Sequence, residues 1–198
     1  LKEDVERVAA AREAIGPRVD LLIDPNQAYS PAEALAAAHA FAPYDVYWYE
    51  DPIHWYDDLR ALAELALKSP IRIAAGEYEN TKFGCRDLIR DAHLGVLMFD
   101  STWSGGLTEG RKVAALAEAH HIPLSPHHDP QIHVHLAAGC PNGLILESFP
   151  DERRDPVWAY LYRERPQIRD GYIEVPNRPG LGIELDESAL AKYATKVE

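Results

Sequence analysis

The stretch that decides the fold is Val19-Asp20-Leu21-Leu22-Ile23-Asp24, followed by Ser30-Pro31-Ala32-Glu33 and then by Val46-Tyr47-Trp48-Tyr49-Glu50. An apolar run ending on an acid precedes a helix start, and a second apolar run ending on an acid follows it. Ser30 as N-cap, Pro31 at the first helical position and Glu33 complete a capping box. This order predicts one strand–helix–strand unit, whose right-handed crossover makes the two strands parallel.

The same unit repeats along the chain. Its candidate strands are short and apolar on both faces, as expected for strands buried in a parallel sheet. They cover residues 19–23, 46–49, 71–75, 96–99, 122–125 and 144–146. Helical patterns separate them at Pro31 to Phe41, from Asp57 and Asp58 onward, and at 81–92, 106–121 and 132–138.

Six such units favour a (β/α) TIM-type barrel. An open doubly wound sheet is the alternative, but no Gly-x-Gly-x-x-Gly follows the first strand. A closed barrel has eight strands, so two are expected upstream of Leu1, which lies in a predicted helix and is not Met. We therefore expect residues 1–148 to form a partial barrel that carries the active site. Residues 149–198, rich in Arg, Pro and Gly, are expected to form an extension that packs back on the barrel or on another domain.

Composition excludes several classes of function. With 32 acidic against 20 basic residues the net charge is −12, and no basic cluster stands out, so a nucleic-acid partner is not expected. No apolar run is long enough for a membrane span. The two cysteines, Cys85 and Cys140, lie far apart in sequence, which is typical of a reducing cytoplasm.

Every predicted strand is followed by an acid or a histidine, at intervals of 20 to 27 residues. In a barrel these carboxyl ends meet on one face, where such folds place their chemistry. In chain order the residues are Asp24, Glu50, Glu77, Asp100, His127 and Glu147.

The first three of these residues predict a magnesium site. Asp24, Glu50 and Glu77 offer the hard oxygen ligands that Mg²⁺ prefers, whereas Zn²⁺ favours His or Cys. Crowded carboxylates without a cation repel one another and tend to protonate, and a divalent ion removes that conflict.

The other three predict proton-transfer chemistry. Asp100 and His127 follow neighbouring strands, and a carboxylate–imidazole pair fixes the tautomer and raises the basicity of the ring. Glu147, if protonated, can donate a hydrogen bond to a developing oxyanion.

Several motifs, in this order and spacing, resemble the mandelate racemase branch of the enolase superfamily (the mandelate racemase/muconate lactonizing enzyme C-terminal barrel domain). The resemblance covers residues 1 to about 185. The motifs are Ile23-Asp24-Pro25-Asn26-Gln27-Ala28-Tyr29, Tyr49-Glu50-Asp51-Pro52, Ala75-Gly76-Glu77, Gly105-Gly106-Leu107-Thr108-Glu109 after Asp100, Pro123-Leu124-Ser125-Pro126-His127, and Pro179-Gly180-Leu181-Gly182.

The resemblance implies roles for the residues at the strand ends. Asp24, Glu50 and Glu77 would bind Mg²⁺. His127 would be the general acid/base, supported by Asp100. Glu147 would hydrogen-bond the substrate carboxylate as charge develops on it, and Asn26 would add a polar contact near the metal.

The reaction implied is Mg²⁺-dependent removal of the proton next to a carboxylate. We expect dehydration of a sugar acid to a 2-keto-3-deoxy acid. A racemase or epimerase of a 2-hydroxy acid is the alternative, and a non-catalytic, decayed barrel is the second. The resemblance implies a small-molecule carboxylate as the substrate. It also implies that the protein is cytoplasmic and forms a homo-oligomer.

The sequence departs from the family pattern in one respect. The Lys-x-Lys element of the second barrel strand and the N-terminal capping domain are not found in these 198 residues. We expect both upstream of Leu1, where the capping domain would receive residues 149–198.

Other polar and aromatic motifs were weighed against this assignment. His133-x-His135 resembles the metal pair of amidohydrolase barrels, but it lies in a helical pattern and is expected to be packed or on the surface. His128 and Asp129 either line the site or belong to an ordinary polar loop. Cys85 has no histidine at the spacing a thiol nucleophile needs. The aromatic residues of the second unit are interpreted as core or rim, with substrate contact as the alternative: Tyr47, Trp48, Tyr49 and Trp55.

Overall fold

The computed structural model describes residues 1–54, 59–149, 151–154, 156–164 and 167–195. The first part alternates strands and helices: α1 (Lys2–Ile15), β1 (Leu21–Ile23), α2 (Pro31–Phe41), β2 (Val46–Glu50), α3 (Leu59–Lys68), β3 (Ile73–Ala75), α4 (Lys82–Asp91), β4 (Val96–Leu97), α5 (Gly106–Ala119) and α6 (Pro130–Gly139). The last part contains α7 (Pro156–Leu161), β5 (Ile168–Arg169), β6 (Tyr172–Ile173) and α8 (Glu187–Tyr193).

The main sheet is parallel, with the order β1-β2-β3-β4. Beyond β4 it continues through two single parallel bridges, from Leu97 to Leu124 and from Leu124 to Gly143. The amide of Ser125 donates to the carbonyl of Leu97 at 3.0 Å, and that of Leu144 donates to the carbonyl of Leu124 at 2.8 Å. Six sheet positions therefore follow one another in sequence order, which confirms the predicted parallel α/β arrangement.

Apart from β2, which extends one residue beyond its predicted range to Glu50, the strands are shorter than predicted. Val19, at the start of the first predicted strand, is 52% exposed and precedes β1. The fifth and sixth predicted strands are single bridges instead of ladders, because Pro123 and Pro126 lack the amide that a ladder needs. The sixth pairing lies at Gly143, one residue before the predicted range.

The helices agree with the sequence more closely. Ser30 and Glu33 form the predicted capping box of α2, and Thr81 caps α4. The predicted start of the next helix at Asp57 and Asp58 lies outside the described residues, as does Trp55. Nowhere in the described ranges is a helix both long and apolar enough to cross a bilayer.

The sheet packs differently on its two faces. The helix-facing side joins Tyr49, Ile73, Leu97 and Phe99 to a continuous core under α2–α5. The opposite face carries a smaller cluster made of Trp48, Ala74, Val96 and Met98, with Leu22 against it. Because side chains alternate along a strand, this second face is the one that leads to the strand ends discussed below.

The C-terminal segment contacts α6. Gln131 donates to the hydroxyl of Tyr162 at 3.3 Å, and His135 bonds the carbonyl of Leu181 at 2.9 Å. In the hairpin of β5 and β6, Asp170 and Gly171 have φ of 51° and 82°, which suits a tight turn with two left-handed residues. The predicted boundary between the partial barrel and the C-terminal extension, at residues 148 and 149, stays a prediction.

Candidate metal centre and acid–base site

Strand alternation places five of the six predicted site residues beyond one cavity-facing row of the sheet, and three of them, Asp24, Glu50 and Glu147, line that cavity. The five sheet residues Leu22, Trp48, Met98, Ser125 and Ile145 line a cavity of about 410 Å³. Two residues after each of them stands a predicted site residue on the same face of the chain. In order these are Asp24, Glu50, Asp100, His127 and Glu147.

Glu77 reaches the site by a different device. Two residues after the inward Ala74 stands Gly76, and Glu77 follows it one position out of phase. Gly76 has φ of 130°, and a Cβ there would lie 2.9 Å from Leu97 Cδ1 and 3.3 Å from the backbone nitrogen of Met98. Only glycine adopts this conformation in so little space, and the turn brings Glu77 within 3.7 Å of His127 Nε2.

Four carboxylates share two adjoining cavities. Asp24, Glu50 and Glu147 line the larger one, while Asp24, Glu77 and Glu147 line a neighbour of about 230 Å³. Burial, and then the charges of Asp24 and Glu147, raise the pKa of Glu50 to about 9. Burial also raises the pKa values of Asp24 and Glu77, and the charge of Glu147 adds to both shifts. The two cavities together form the mouth of the site. The side of the mouth that carries Asp24, Glu50 and Glu77 therefore holds more negative charge than the surrounding protein compensates.

The three predicted ligands do not converge on one point. In the described ranges no three His, Cys, Asp or Glu side chains form a group that could hold a metal ion. Two of the acids are turned to local donors instead: Glu50 accepts from Trp48 Nε1 at 3.1 Å, and Asp24 accepts from the amide of Asn26 at 2.6 Å. Like charges separate in this way when no cation is present and protein donors are within reach.

The donor chemistry nevertheless fits a hard divalent cation. The acids face shared cavities, burial and then mutual repulsion raise their pKa values, and their oxygens are the ligands that Mg²⁺ prefers. The Ser148 hydroxyl, which lines the larger cavity, is buried without a hydrogen-bond partner in the described part of the chain. Asp24, Glu50 and Glu77 are the residues that would hold the ion, and their roles stay a prediction.

The acid–base pair, by contrast, is assembled. His127 Nδ1 lies 2.9 Å from Asp100 Oδ2, while Asp100 Oδ1 accepts from the amide and hydroxyl of Thr102 at 2.7 and 2.6 Å. Although burial raises it, these hydrogen bonds bring the pKa of Asp100 below its usual value. Burial acts to lower the pKa of His127, but the bond to Asp100 and the charges of Glu77 and Glu147 raise it to about 9. Since Nδ1 is engaged, Nε2 is the atom open for proton transfer.

His133 supports this pair from behind. It is fully buried, its Nδ1 donates to the carbonyl of His128 at 2.8 Å, and its Nε2 accepts from the amide of Ser101 at 3.1 Å. It thus ties the loop after the fifth sheet position to the residue that follows Asp100. The packed interpretation of His133 holds, and the amidohydrolase-like pair with His135 does not form, since His135 bonds the C-terminal segment.

The remaining predicted residues lie at the mouth. Glu147 accepts a hydrogen bond from the amide of His128 at 2.7 Å, so the backbone of His128 orients this acid. The rings of His128 and Phe149 are 5.1 Å apart. Asn26, with φ of 47°, lines the smaller cavity together with Asp24.

The sequence prediction missed three residues at this mouth. Arg154 and Phe149 line both cavities, and the exposed Trp103 stacks on His127 with the ring centroids 6.3 Å apart. They come from loops after Asp100 and Glu147, where no periodicity assigns a direction to a side chain. The only available signal was their position a few residues beyond a predicted site residue.

The comparisons with known proteins identify the family of the chain. The family described as enolase C-terminal domain-like matches residues 1–189. The 3,6-anhydro-alpha-L-galactonate cycloisomerase of Streptomyces coelicolor is 35% identical over 98% of this chain and 52% of its own length. The D-xylonate dehydratase of Haloferax volcanii is 32% identical over 98% of this chain and 48% of its own.

A solved structure supports the same assignment. The crystal structure of L-talarate dehydratase from Polaromonas sp. JS666, complexed with Mg and L-glucarate, has a TM-score of 0.87 at 37% identity and covers 96% of this chain and 51% of that one. The chain spans about half the length of the curated relatives it matches. With its parallel α/β sheet and its ordered strand-end residues, the chain belongs to the enolase C-terminal domain-like family, in the mandelate racemase/muconate lactonizing enzyme branch of the enolase superfamily.

Proposed function

We propose that the intact protein is an Mg²⁺-dependent enzyme that removes the proton next to the carboxylate of a sugar acid and eliminates the neighbouring hydroxyl, giving a 2-keto-3-deoxy acid. The observation that carries the proposal is the His127–Asp100 pair, whose free Nε2 faces the carboxylate-lined mouth. The relatives named as sugar-acid dehydratases support the choice of reaction.

The residues divide the work by charge. A bound Mg²⁺ supplies a Lewis acid that stabilises negative charge on the substrate carboxylate, by several kcal/mol in order of magnitude. Asp24, Glu50 and Glu77 would hold it. Glu147, placed by the amide of His128, would hydrogen-bond the same carboxylate as charge develops on it.

His127 moves the proton. Asp100 fixes the ring so that Nε2 points to the substrate, and a histidine so positioned protonates a departing β-hydroxyl as general acid or removes a proton as general base. Cycloisomerisation is a second candidate, favoured by the 35% identity to the galactonate cycloisomerase, and it uses the same proton transfer.

The test is turnover of a panel of aldonic and aldaric acids by the full-length protein with Mg²⁺ in D₂O. Keto acid that forms with Mg²⁺ and stops on chelation supports dehydration. Deuterium entering unchanged substrate without keto acid indicates racemisation or epimerisation instead. If no acid yields keto acid, isomer or α-deuterium, the proposed function is wrong.

A further inference from the structure

One arginine lines the acidic mouth. Of the lysines and arginines in the described ranges, only Arg154 lines both cavities, beside Asp24, Glu147 and Phe149. The charge of Arg154 reaches Asp24, whose carboxyl it favours in the ionised form. The mechanism above gives this residue no task.

The guanidinium of Arg154 is held in place but not engaged by an acceptor. It lies over the ring of Phe149, 4.0 Å from the centroid. Within the described ranges no protein oxygen accepts a hydrogen bond from it, and its backbone amide donates to Asp151 in a turn. Stacking on an aromatic face fixes the plane of a guanidinium and leaves its N–H edge available.

The neighbouring arginine provides the contrast. Arg153 is paired with Asp151 through two hydrogen bonds of 3.1 and 2.9 Å, and its side chain is 91% exposed. Two adjacent arginines therefore differ in kind: Arg153 is bound to the protein and points to solvent, whereas Arg154 is unbound and faces the mouth.

A free, planar fork of donors matches a carboxylate, which arginine binds through two parallel hydrogen bonds. Around the smaller cavity Asp24 and Glu77 repel an anion, and the His127 ring is already paired with Asp100, so Arg154 offers the unengaged donors for a carboxylate at the rim. The reacting carboxylate, on the proposed function, belongs on the acid side with the cation. Arg154 is left for a second one.

We propose that Arg154 binds the second, non-reacting carboxylate of an aldaric (dicarboxylic) sugar acid and thereby sets a preference for diacids over aldonic acids. The inference rests on the proposed function, because that function places the first carboxylate at Asp24, Glu50 and Glu77. Phe149 acts as a positioning residue, since it holds the guanidinium plane over the cavity.

The kinetic test compares kcat/KM on matched pairs, galactarate with galactonate and glucarate with gluconate, in the full-length protein. Arg154→Gln is expected to lower kcat/KM about 100-fold on the diacids, as for a lost charge-assisted pair, and less than about threefold on the monoacids. Arg154→Lys restores the diacids only in part, because an ammonium lacks the fork. The matched control Arg153→Gln leaves both classes unchanged.

Three results would overturn the inference. They are a parent enzyme that prefers aldonic acids, an equal loss on both classes in Arg154→Gln, and an equal loss in Arg153→Gln. If Arg154 served only to neutralise Asp24, Arg154→Gln would change the Mg²⁺ affinity and affect every substrate alike.

A binding measurement separates this inference from the proposed function. Calorimetric titration of galactarate and galactonate into the Mg²⁺-loaded His127→Asn variant, with and without Arg154→Gln, needs no turnover. If galactarate binding depends on Arg154 but the parent protein turns over no sugar acid, the inference about Arg154 is supported and the proposed reaction is refuted. If the parent protein turns over sugar acids but both ligands bind independently of Arg154, the proposed reaction is supported and the inference about Arg154 is refuted.

Discussion

The two sides of the mouth are built on opposite principles. On the acid side, at the ends of β1–β3, Asp24 and Glu50 accept from separate local donors, and burial and then mutual repulsion raise the pKa values of Asp24, Glu50 and Glu77. On the imidazole side, beyond β4, Asp100 and His127 are joined directly and Thr102 donates to the same carboxylate. The acid side needs a bound cation to offset its negative charge, whereas the hydrogen bonds of the imidazole side are complete within the described residues.

This difference indicates which part of the site is formed by folding alone. Hydrogen bonds between protein donors and one carboxylate form as soon as the strands are in register. A group of like charges does not assemble until a cation offsets the repulsion. Proton-transfer geometry is therefore fixed in advance, and the metal geometry is expected to form on binding.

The largest expected effect tests the imidazole side. His127→Asn removes the proton-transfer group, so kcat is expected to fall at least about 1000-fold, within the range of general acid–base catalysis. The Mg²⁺ affinity should stay within about threefold, because His127 is no ligand. Steady-state kinetics and a Mg²⁺ titration measure the two quantities. His121→Asn, at an exposed position where φ of 58° suits asparagine, is the control. Comparable loss of turnover and metal binding would make His127 structural.

The next effect tests the acid side. Glu50→Gln is expected to weaken Mg²⁺ binding at least about 100-fold, since even outer partners of metal ligands commonly contribute 10–100-fold. Calorimetric titration of Mg²⁺ into the chelator-treated protein measures this. The exposed Glu64→Gln, in α3, should bind as the parent does. Unchanged affinity in Glu50→Gln would remove Glu50 from the ligand set.

The same variant gives a pH test of the metal-free protein. The pKa of Glu50 is raised from 4.5 to about 9, so folding favours its protonated form. Above 4.5 the unfolded chain ionises this group first, and parent stability is expected to fall as pH rises toward 9. Glu50→Gln lacks this loss, and its advantage should grow through that window in denaturant unfolding. Identical pH profiles would show that Glu50 is not penalised by burial.

A smaller effect concerns the support behind the imidazole. His133→Leu leaves the amide of Ser101 and the carbonyl of His128 without their buried partner, so the free energy of unfolding should fall by about 2 kcal/mol. Denaturant unfolding measures it. His39→Leu, at an exposed position of α2, should change it by less than about 0.5 kcal/mol. A neutral His133→Leu would mean that the imidazole side does not depend on this tie.

The smallest effect lies away from the mouth and calibrates the others. Glu109 accepts hydrogen bonds from Lys112 and Lys82, which lower its pKa from 4.5 to about 2. Its contribution is present above pH 4.5 and is lost as pH falls toward 2, so the unfolding midpoints of parent and Glu109→Gln should converge in that window. Glu118→Gln, exposed on α5, should match the parent throughout. A Glu109→Gln profile parallel to that of the parent would contradict the assignment.

What could be predicted from the sequence follows the same division. The period of two along Leu22–Asp24 and Trp48–Glu50 places side chains without knowledge of the fold beyond a parallel sheet. The partner of His127 was predictable because Asp100 ends a neighbouring strand. The separation of the acids was not, since it depends on donors such as Trp48 Nε1 that compete with a cation.

Loop positions set the other limit. Arg154 and Phe149 meet through a turn at Asp151, and Trp103 reaches His127 from the loop after Asp100. No repeat governs such segments, so their side chains had no predicted direction. The shortened fifth and sixth strands have a similar origin in the prolines beside Leu124.

Gly76 gives the site a vulnerable point that contains no functional atom. Because Glu77 enters the mouth only through the φ of 130° at Gly76, a single added methyl group there would misdirect the acid at the next position of the chain. Natural or engineered variants at this glycine should therefore behave in genetic screens like losses of the carboxylate itself, and sorting variants by side-chain chemistry alone would overlook them.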